Sequence, residues 1–166
     1  MTLRFVGEGS ELLTVWQTDP EAVILAPQPV ATSILMQNEN ARTLFDMTEE
    51  WDKVSGGEST LMMGCVIVRN AFLQEHPDAV TLFLQEYAAS IEKAQSDAAG
   101  TAALCEQYGL IPKAALAEKV LPYCGLTFVT GAEMKAGLSG YLQVMFDADP
   151  RSVGGAMPDD GFYYGA

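Results

Sequence analysis

One histidine and three widely spaced cysteines are all the imidazole and thiol that this 166-residue chain offers. Cys65, Cys105 and Cys124 form no CxxC pair, and His76 alone cannot complete a Cys/His zinc cluster, so no metal site is expected. Cys65 sits in an apolar run and Cys105 in a helical pattern, and both are expected to be buried thiols. Basic residues are scarce as well: nine Lys and Arg stand against 22 Asp and Glu, a net charge of −13 at pH 7. Nucleic acid is excluded as a partner, because phosphates must be met by clusters of Lys and Arg. Docking on anionic membranes is disfavoured for the same reason. Apolar stretches stay short of the roughly 18 residues a membrane span needs, so no spanning helix is expected. The opening MTLRFVGEGS shows no basic-then-apolar leader, and no export signal is expected within these residues.

Apolar side chains, by contrast, are plentiful at 49%, with 9% aromatic, which is enough for a core and argues against disorder. The acidic excess reads as a solvated surface that keeps the chain soluble. Catalytic groups are harder to find. His76-Pro77 falls at a helix start, where a capping or surface role outweighs catalysis. The stretch DADPRSVGG begins like a calcium loop but lacks its glycine and terminal glutamate. Asp159 and Asp160 could pair as carboxylates, yet a solvated loop accounts for them. No enzyme and no cofactor is expected.

Along the chain, TLRFVG (2–7) and AVILAP (22–27) read as strands joined by a helix carrying Leu12, Leu13 and Trp16 at helical spacing. Ser10 is placed to cap that helix and Asp19-Pro20 to close it. Strand, helix and strand in this order make a βαβ unit, with Gly7-Glu8-Gly9-Ser10 and Pro27-Gln28-Pro29 on the ligand-binding edge of the sheet. A short helix over 30–38 and a strand over 41–47 follow, then a polar loop with room for one helical turn, for which Thr48 is a cap. TLMMGCVIVR (60–69) reads as a strand buried on both faces. Beyond it the pattern is helical: NAFLQEH, a long helix opened by Pro77 with Val80, Leu84, Tyr87, Ile91 and Ala94 on one stripe, then 98–108 and 112–123. LTFVTG (126–131) returns to strand. Thr130 and Glu133 form a capping box for a last helix whose stripe is Met134, Leu138, Tyr141, Leu142 and Met145. A Gly/Pro-rich tail with Phe162 and paired tyrosines is expected to pack back on the body. The fold class is therefore α/β, with sheets that look incomplete.

Two local features bear on binding. The turn GEGS can offer backbone N–H groups to a carboxylate, sulfonate or phosphate oxygen, or can be an ordinary tight βα turn. Trp51 can wall a ligand or pack in the core.

The segments APQPVATSILMQN, DMTEEWDKVSGG, MGCVIVRNAFLQEHPDAVTLFLQEY, GAEMKAGLSGYLQVMF and PDDGFYY, in this order, resemble the C-terminal half of ABC-transporter substrate-binding proteins of the nitrate/sulfonate/taurine/thiamine-precursor type. The resemblance covers nearly the whole chain. It implies a type II periplasmic-binding-protein-like fold, incomplete here: residues 1–60 as the end of lobe two, 61–69 as the return or hinge strand, and 70–166 as the C-terminal part of lobe one. It implies binding without turnover. A small anionic or heteroaromatic solute would be captured between lobes, and the closed form presented to ABC permease subunits, at a periplasmic or lipid-anchored cell-surface location. Ligand contacts are expected from Gly9, Ser10, Gln28, Thr32 and Trp51, with Met63 and Gly64 as hinge residues. Gln28 stands where the family carries an acid, which disfavours a cationic ligand. With half the family's contacts outside these residues, weak binding or none is expected of the 166 residues alone. The same fold serves LysR-type effector domains and a thiamine-pyrimidine synthase family. A helix-turn-helix upstream would mark the first, and turnover of a substrate the second.

Overall fold

A computed structural model describes residues 3–19 and 21–166. Eight α-helices lie among them: α1 (Gly9–Thr18), α2 (Val30–Gln37), α3 (Met47–Ser55), α4 (Asn70–Glu75), α5 (Pro77–Ser96), α6 (Ala98–Gln107), α7 (Ala114–Val120) and α8 (Gly131–Ala148). Short 3-10 turns occupy Leu121–Tyr123, Pro150–Val153 and Asp160–Phe162.

The α/β expectation, and with it the periplasmic-binding-type sheet, is overturned. No described residue lies in a strand; every regular element is helical. The segments read as strands (2–7 in its described part, 22–27, 41–47, 60–69 and 126–131) are irregular over nearly all their length. The physical reason is lateral. An apolar run becomes a strand only when a neighbour takes its N–H and C=O groups, and the described chain brings no such neighbour. The consequence shows in exposure: Phe5 is 91% exposed, Leu25 75% and Ile67 78%. Apolar composition identified runs fit for a sheet, and could not say whether a partner strand was present.

The chain divides into two compact units, residues 1–42 with 83–127, and residues 43–82 with 128–166. In the first, α6 packs on α7 around Ala102, Ile111, Ala117 and Val120, with Cys105 and Cys124 at its edge. Ala102 and Ala117 are almost fully buried, and their small side chains let the two helices approach closely. α1 and α2 lie side by side in the same unit. Gly9 abuts Val30 at one end, and Leu13, Trp16 and Gln17 face Ile34, Gln37 and Asn38 at the other, so the two run in the same direction.

In the second unit residues 58–62 cross α8 over two glycines. A Cβ at Gly140 would lie 2.5 Å from the Glu58 carbonyl oxygen, and one at Gly137 would lie 2.7 Å from Met62 Cε. The expected α8 stripe is its inner face, with Leu138 buried and Met134, Tyr141, Leu142 and Met145 half-buried. The tail does return to the body: Tyr163 is buried, and Asp160 pairs with Lys135 of α8 at 2.9 Å.

Several local expectations need correction. Ser10 lies inside α1, whose N-cap is Glu8; Ser10 Oγ donates to Glu8 Oε2 at 3.2 Å. The loop after 47 is a helix of nine residues, α3, capped by Asp46 rather than Thr48. Asp46 Oδ1 accepts from the Thr48 and Glu49 N–H groups at 2.8 and 3.3 Å. That helix stops at Gly56, whose φ of 62° is the left-handed conformation that ends helices cheaply at glycine. Thr130 holds the N-cap position of α8 without a side-chain capping bond. Residues 112–113 precede α7 instead of opening it. Pro77 does open α5. Pro20 lies outside the described residues.

Candidate functional site

The residues expected to bind ligand or to serve as a hinge fall in two places. Gly9, Ser10, Gln28 and Thr32 belong to the first unit, and Trp51, Met63 and Gly64 to the second.

In the first unit the starts of α1 and α2 come together. Gly9 makes this possible, because a Cβ there would stand 2.5 Å from Val30 Cγ2. Two helices running in parallel place both positive macrodipole ends at one end of the pair. The first-turn N–H groups there are largely taken: Glu11 N–H donates to the Glu8 carbonyl, Ala31 N–H to the Pro27 carbonyl and Thr32 N–H to Gln28. Gln28 sits half-buried over α2. Its Oε1 accepts from Thr32 Oγ1 at 2.8 Å and from the Thr32 N–H at 3.3 Å, so the side chain caps the helix it precedes. Thr32 is buried, and its hydroxyl is committed to Gln28. The Gln28 amide therefore directs its oxygen inward, while its Nε2 donor has no bond among the described residues and is not buried. Thr32 thus positions Gln28 rather than offering a hydroxyl outward.

The charge around this end is negative. Glu11 Oε2 accepts from the Gly7 N–H at 3.3 Å, and Glu8 accepts from Ser10 Oγ. The glycine turn does receive a carboxylate oxygen, as its N–H geometry suggested, but the carboxylate is the chain's own. Two acidic side chains at a helix start are favoured by its dipole, and they repel a second anion.

Farther along the same helix pair, Leu13, Trp16, Gln17, Ile34, Gln37 and Asn38 line a groove of about 210 Å³. The Trp16 indole nitrogen is buried with no hydrogen-bond partner among the described residues. An unpaired buried donor costs on the order of 1–3 kcal/mol. The groove thus combines an apolar floor, three amide side chains and an unsatisfied N–H. Sequence reasoning assigned Trp16 only to the apolar stripe of α1. The amides at 17, 37 and 38 were a legible signal only once α1 and α2 were known to run side by side.

In the second unit Trp51 is half-buried against its neighbours. Its Nε1 donates to the buried Ser59 Oγ at 2.9 Å, and its ring lies 5.2 Å from that of Tyr141, centroid to centroid. Of its two readings, the packing one describes what the side chain touches. Met63 and Gly64 lie in the irregular run 59–69, with Met63 73% exposed. Cys65, expected to be buried, is exposed in the same run. Cys105 and Cys124 are half-buried, and burial together with the neighbouring Cys105 pushes the Cys124 thiol up. His76 is exposed at the end of α4, its ring 4.9 Å from that of Phe72.

Among the described residues, no three His, Cys, Asp or Glu side chains gather as metal ligands, and no helix is long and apolar enough to cross a membrane. None of the family models, curated proteins or solved structures compared with the chain matches it.

Proposed function

We propose that this chain binds a small solute, as part of a solute-binding protein that serves an ABC importer outside the cytoplasmic membrane. The observation that carries the binding reading is the shared start of α1 and α2, where a Gln28 amide donor that no described residue takes up stands at two positive helix ends. Such a place takes hydrogen-bond acceptors. Glu8 and Glu11 then narrow the choice between the two solute classes. A neutral heteroaromatic with ring-nitrogen acceptors meets the donors without opposing the carboxylates, whereas a sulfonate or nitrate must displace Glu11 from Gly7. The reading involves no bond making or breaking in the solute. The family resemblance supports the importer context and the delivery of solute to a permease.

The test is a two-dimensional NMR titration of the chain with a neutral aminopyrimidine and, separately, with an alkyl sulfonate. The expected result is saturable shifts of the Gly9, Ser10 and Thr32 amides and of the Gln28 side-chain amide. Affinity is expected in the millimolar range, about 4 kcal/mol of binding, with the pyrimidine preferred. Replacing Glu11 by Gln should raise sulfonate affinity. Gln28→Glu retains a capping oxygen and changes the outward donor to an acceptor, so it should abolish the shifts without loss of stability. Shifts confined to residues elsewhere, or none with either compound, would overturn the assignment.

A further inference from the structure

The far end of the α1–α2 pair is the electrical opposite of its start. The two helices run in the same direction, so both C-terminal ends, each with a partial negative charge, meet beside the groove at Trp16. Among the described residues, no N–H or O–H is bonded to the main-chain carbonyls of Trp16, Gln17, Met36 or Gln37. No basic residue stands in the last turn of either helix, and none lines the groove. Acidic residues follow both ends instead: Asp19 is the C-cap of α1, and Glu39 comes after Asn38, the C-cap of α2.

The lining complements that field. Ile34 is buried and Leu13 half-buried, which gives the groove an apolar floor. The Trp16 indole nitrogen is shut off from solvent although the residue is only half-buried. The ring therefore keeps its nitrogen edge inward, and the surface it leaves accessible is carbon. Such a ring attracts cations through its quadrupole. Gln17, Gln37 and Asn38 add side-chain carbonyl oxygens at the rim. At about 210 Å³ the groove is smaller than the roughly 300–1,000 Å³ of pockets for drug-sized ligands, so its occupant is small.

We propose that this groove binds a small alkylammonium ion. Its alkyl part lies on Leu13 and Ile34, and its charge sits between the Trp16 ring and the amide and helix-end carbonyl oxygens. Charge selects this class. An anion meets two negative helix ends on a chain of net charge −13, and a neutral alcohol gains nothing from either. The N–H groups of a primary ammonium also match oxygens that would otherwise face only water. The site goes beyond the acceptor-binding end at Gln28 and does not rest on it.

Two-dimensional NMR titration of the full chain with n-butylammonium chloride, at ionic strength held constant with NaCl, tests the site. Butan-1-ol and butyrate serve as neutral and anionic probes of matching length. Saturable shifts are expected at the Trp16 indole N–H, the Ile34 methyls and the side-chain amides of Gln17, Gln37 and Asn38. Butan-1-ol should bind at least about tenfold more weakly, and butyrate should leave these signals unmoved. Gln37→Lys sets a fixed cation at the exposed end of α2, which a helix C-terminus favours, so circular dichroism should be unchanged. Butylammonium affinity should nonetheless fall about tenfold or more, whereas Gln37→Met, uncharged and of similar length, should cost less than about threefold. Equal affinity for butan-1-ol and butylammonium, equal losses in the two variants, or no saturable shift would overturn the proposal. So would shifts scattered over acidic residues and absent from the groove.

Discussion

Gly137 and Gly140 occupy the same face of α8 three residues apart, yet alanine at the two positions should move stability in opposite directions. At Gly140 the added methyl would stand 2.5 Å from the Glu58 carbonyl oxygen and 2.8 Å from Ser59 Cβ. Both belong to a segment held down by the Trp51–Ser59 hydrogen bond and by the Ser55 hydroxyl, which donates to the Ser59 carbonyl at 3.3 Å. Backbone cannot rotate out of the way, so residues 58–59 must lift off the helix. Overpacking of this kind costs about 1–3 kcal/mol. Helix propensity returns about 0.8–1.0 kcal/mol for Gly→Ala, which leaves a net loss of up to about 2 kcal/mol. At Gly137 the nearest atom, at 2.7 Å, is Met62 Cε, the free end of a flexible side chain. It can swing aside for little, and Gly137→Ala should be neutral or stabilising by up to about 0.5 kcal/mol. Urea unfolding followed by Trp51 fluorescence, in a Trp16→Phe background, reads the second unit directly. Equal midpoints for the two variants, or a Gly140→Ala protein more stable than Gly137→Ala, would refute the close crossing.

Other consequences are as direct. Asp46→Ala removes the cap of α3 and should cost about 1 kcal/mol by the same assay, with Asp46→Asn recovering most of it. Lys93 lies 2.6 Å from Asp97, and the Gly100 N–H also donates to it; together they hold the Asp97 carboxyl below its usual value of 3.8. A depressed carboxyl contributes stability above its unfolded value and loses it as pH falls through the folded one. Asp97→Asn should therefore be less stable than wild type at pH 7, with the gap closing once the pH drops below 3.8 into the acid range; a gap that is constant with pH would exclude the charge effect. Maleimide at neutral pH should label Cys65 well before Cys105 or Cys124, as followed by mass spectrometry, because only Cys65 is exposed.

The helical half of this architecture was legible because its signals are local. Pro77 marks the first turn of α5, and the stripe from Met134 to Met145 marks the inner face of α8; neither needs knowledge of a distant neighbour. The strands were not local. AVILAP and TLMMGCVIVR have the composition of buried strands, but strand formation depends on a lateral partner that no window of sequence contains. Caps failed for a similar reason of competition. Asp46 took the α3 N–H groups that Thr48 was expected to serve, since its carboxylate reaches both N–H groups at once. At the candidate site, the nearness of Gln28 and Thr32 was readable from their spacing of four. What spacing could not show is that the two satisfy each other, so that Gln28→Ala should lower stability as well as affinity. The groove at Trp16 was hidden because it depends on how α1 and α2 align.

The interleaving of the two units also sets a timetable. Each unit is built from two separate lengths of chain, and the first length of the second unit, 43–82, is synthesised before the residues that finish the first unit at 127. At about 5–20 residues per second, that length waits several seconds for α8 and the tail to emerge from the ribosome. During that wait the apolar run at 61–68 is tethered beside its neighbours on a polysome, without the helix that Met62 will later cover. Expression yield should then depend on translation speed and chaperone supply through residues 83–166, and much less on the stability of the finished molecule.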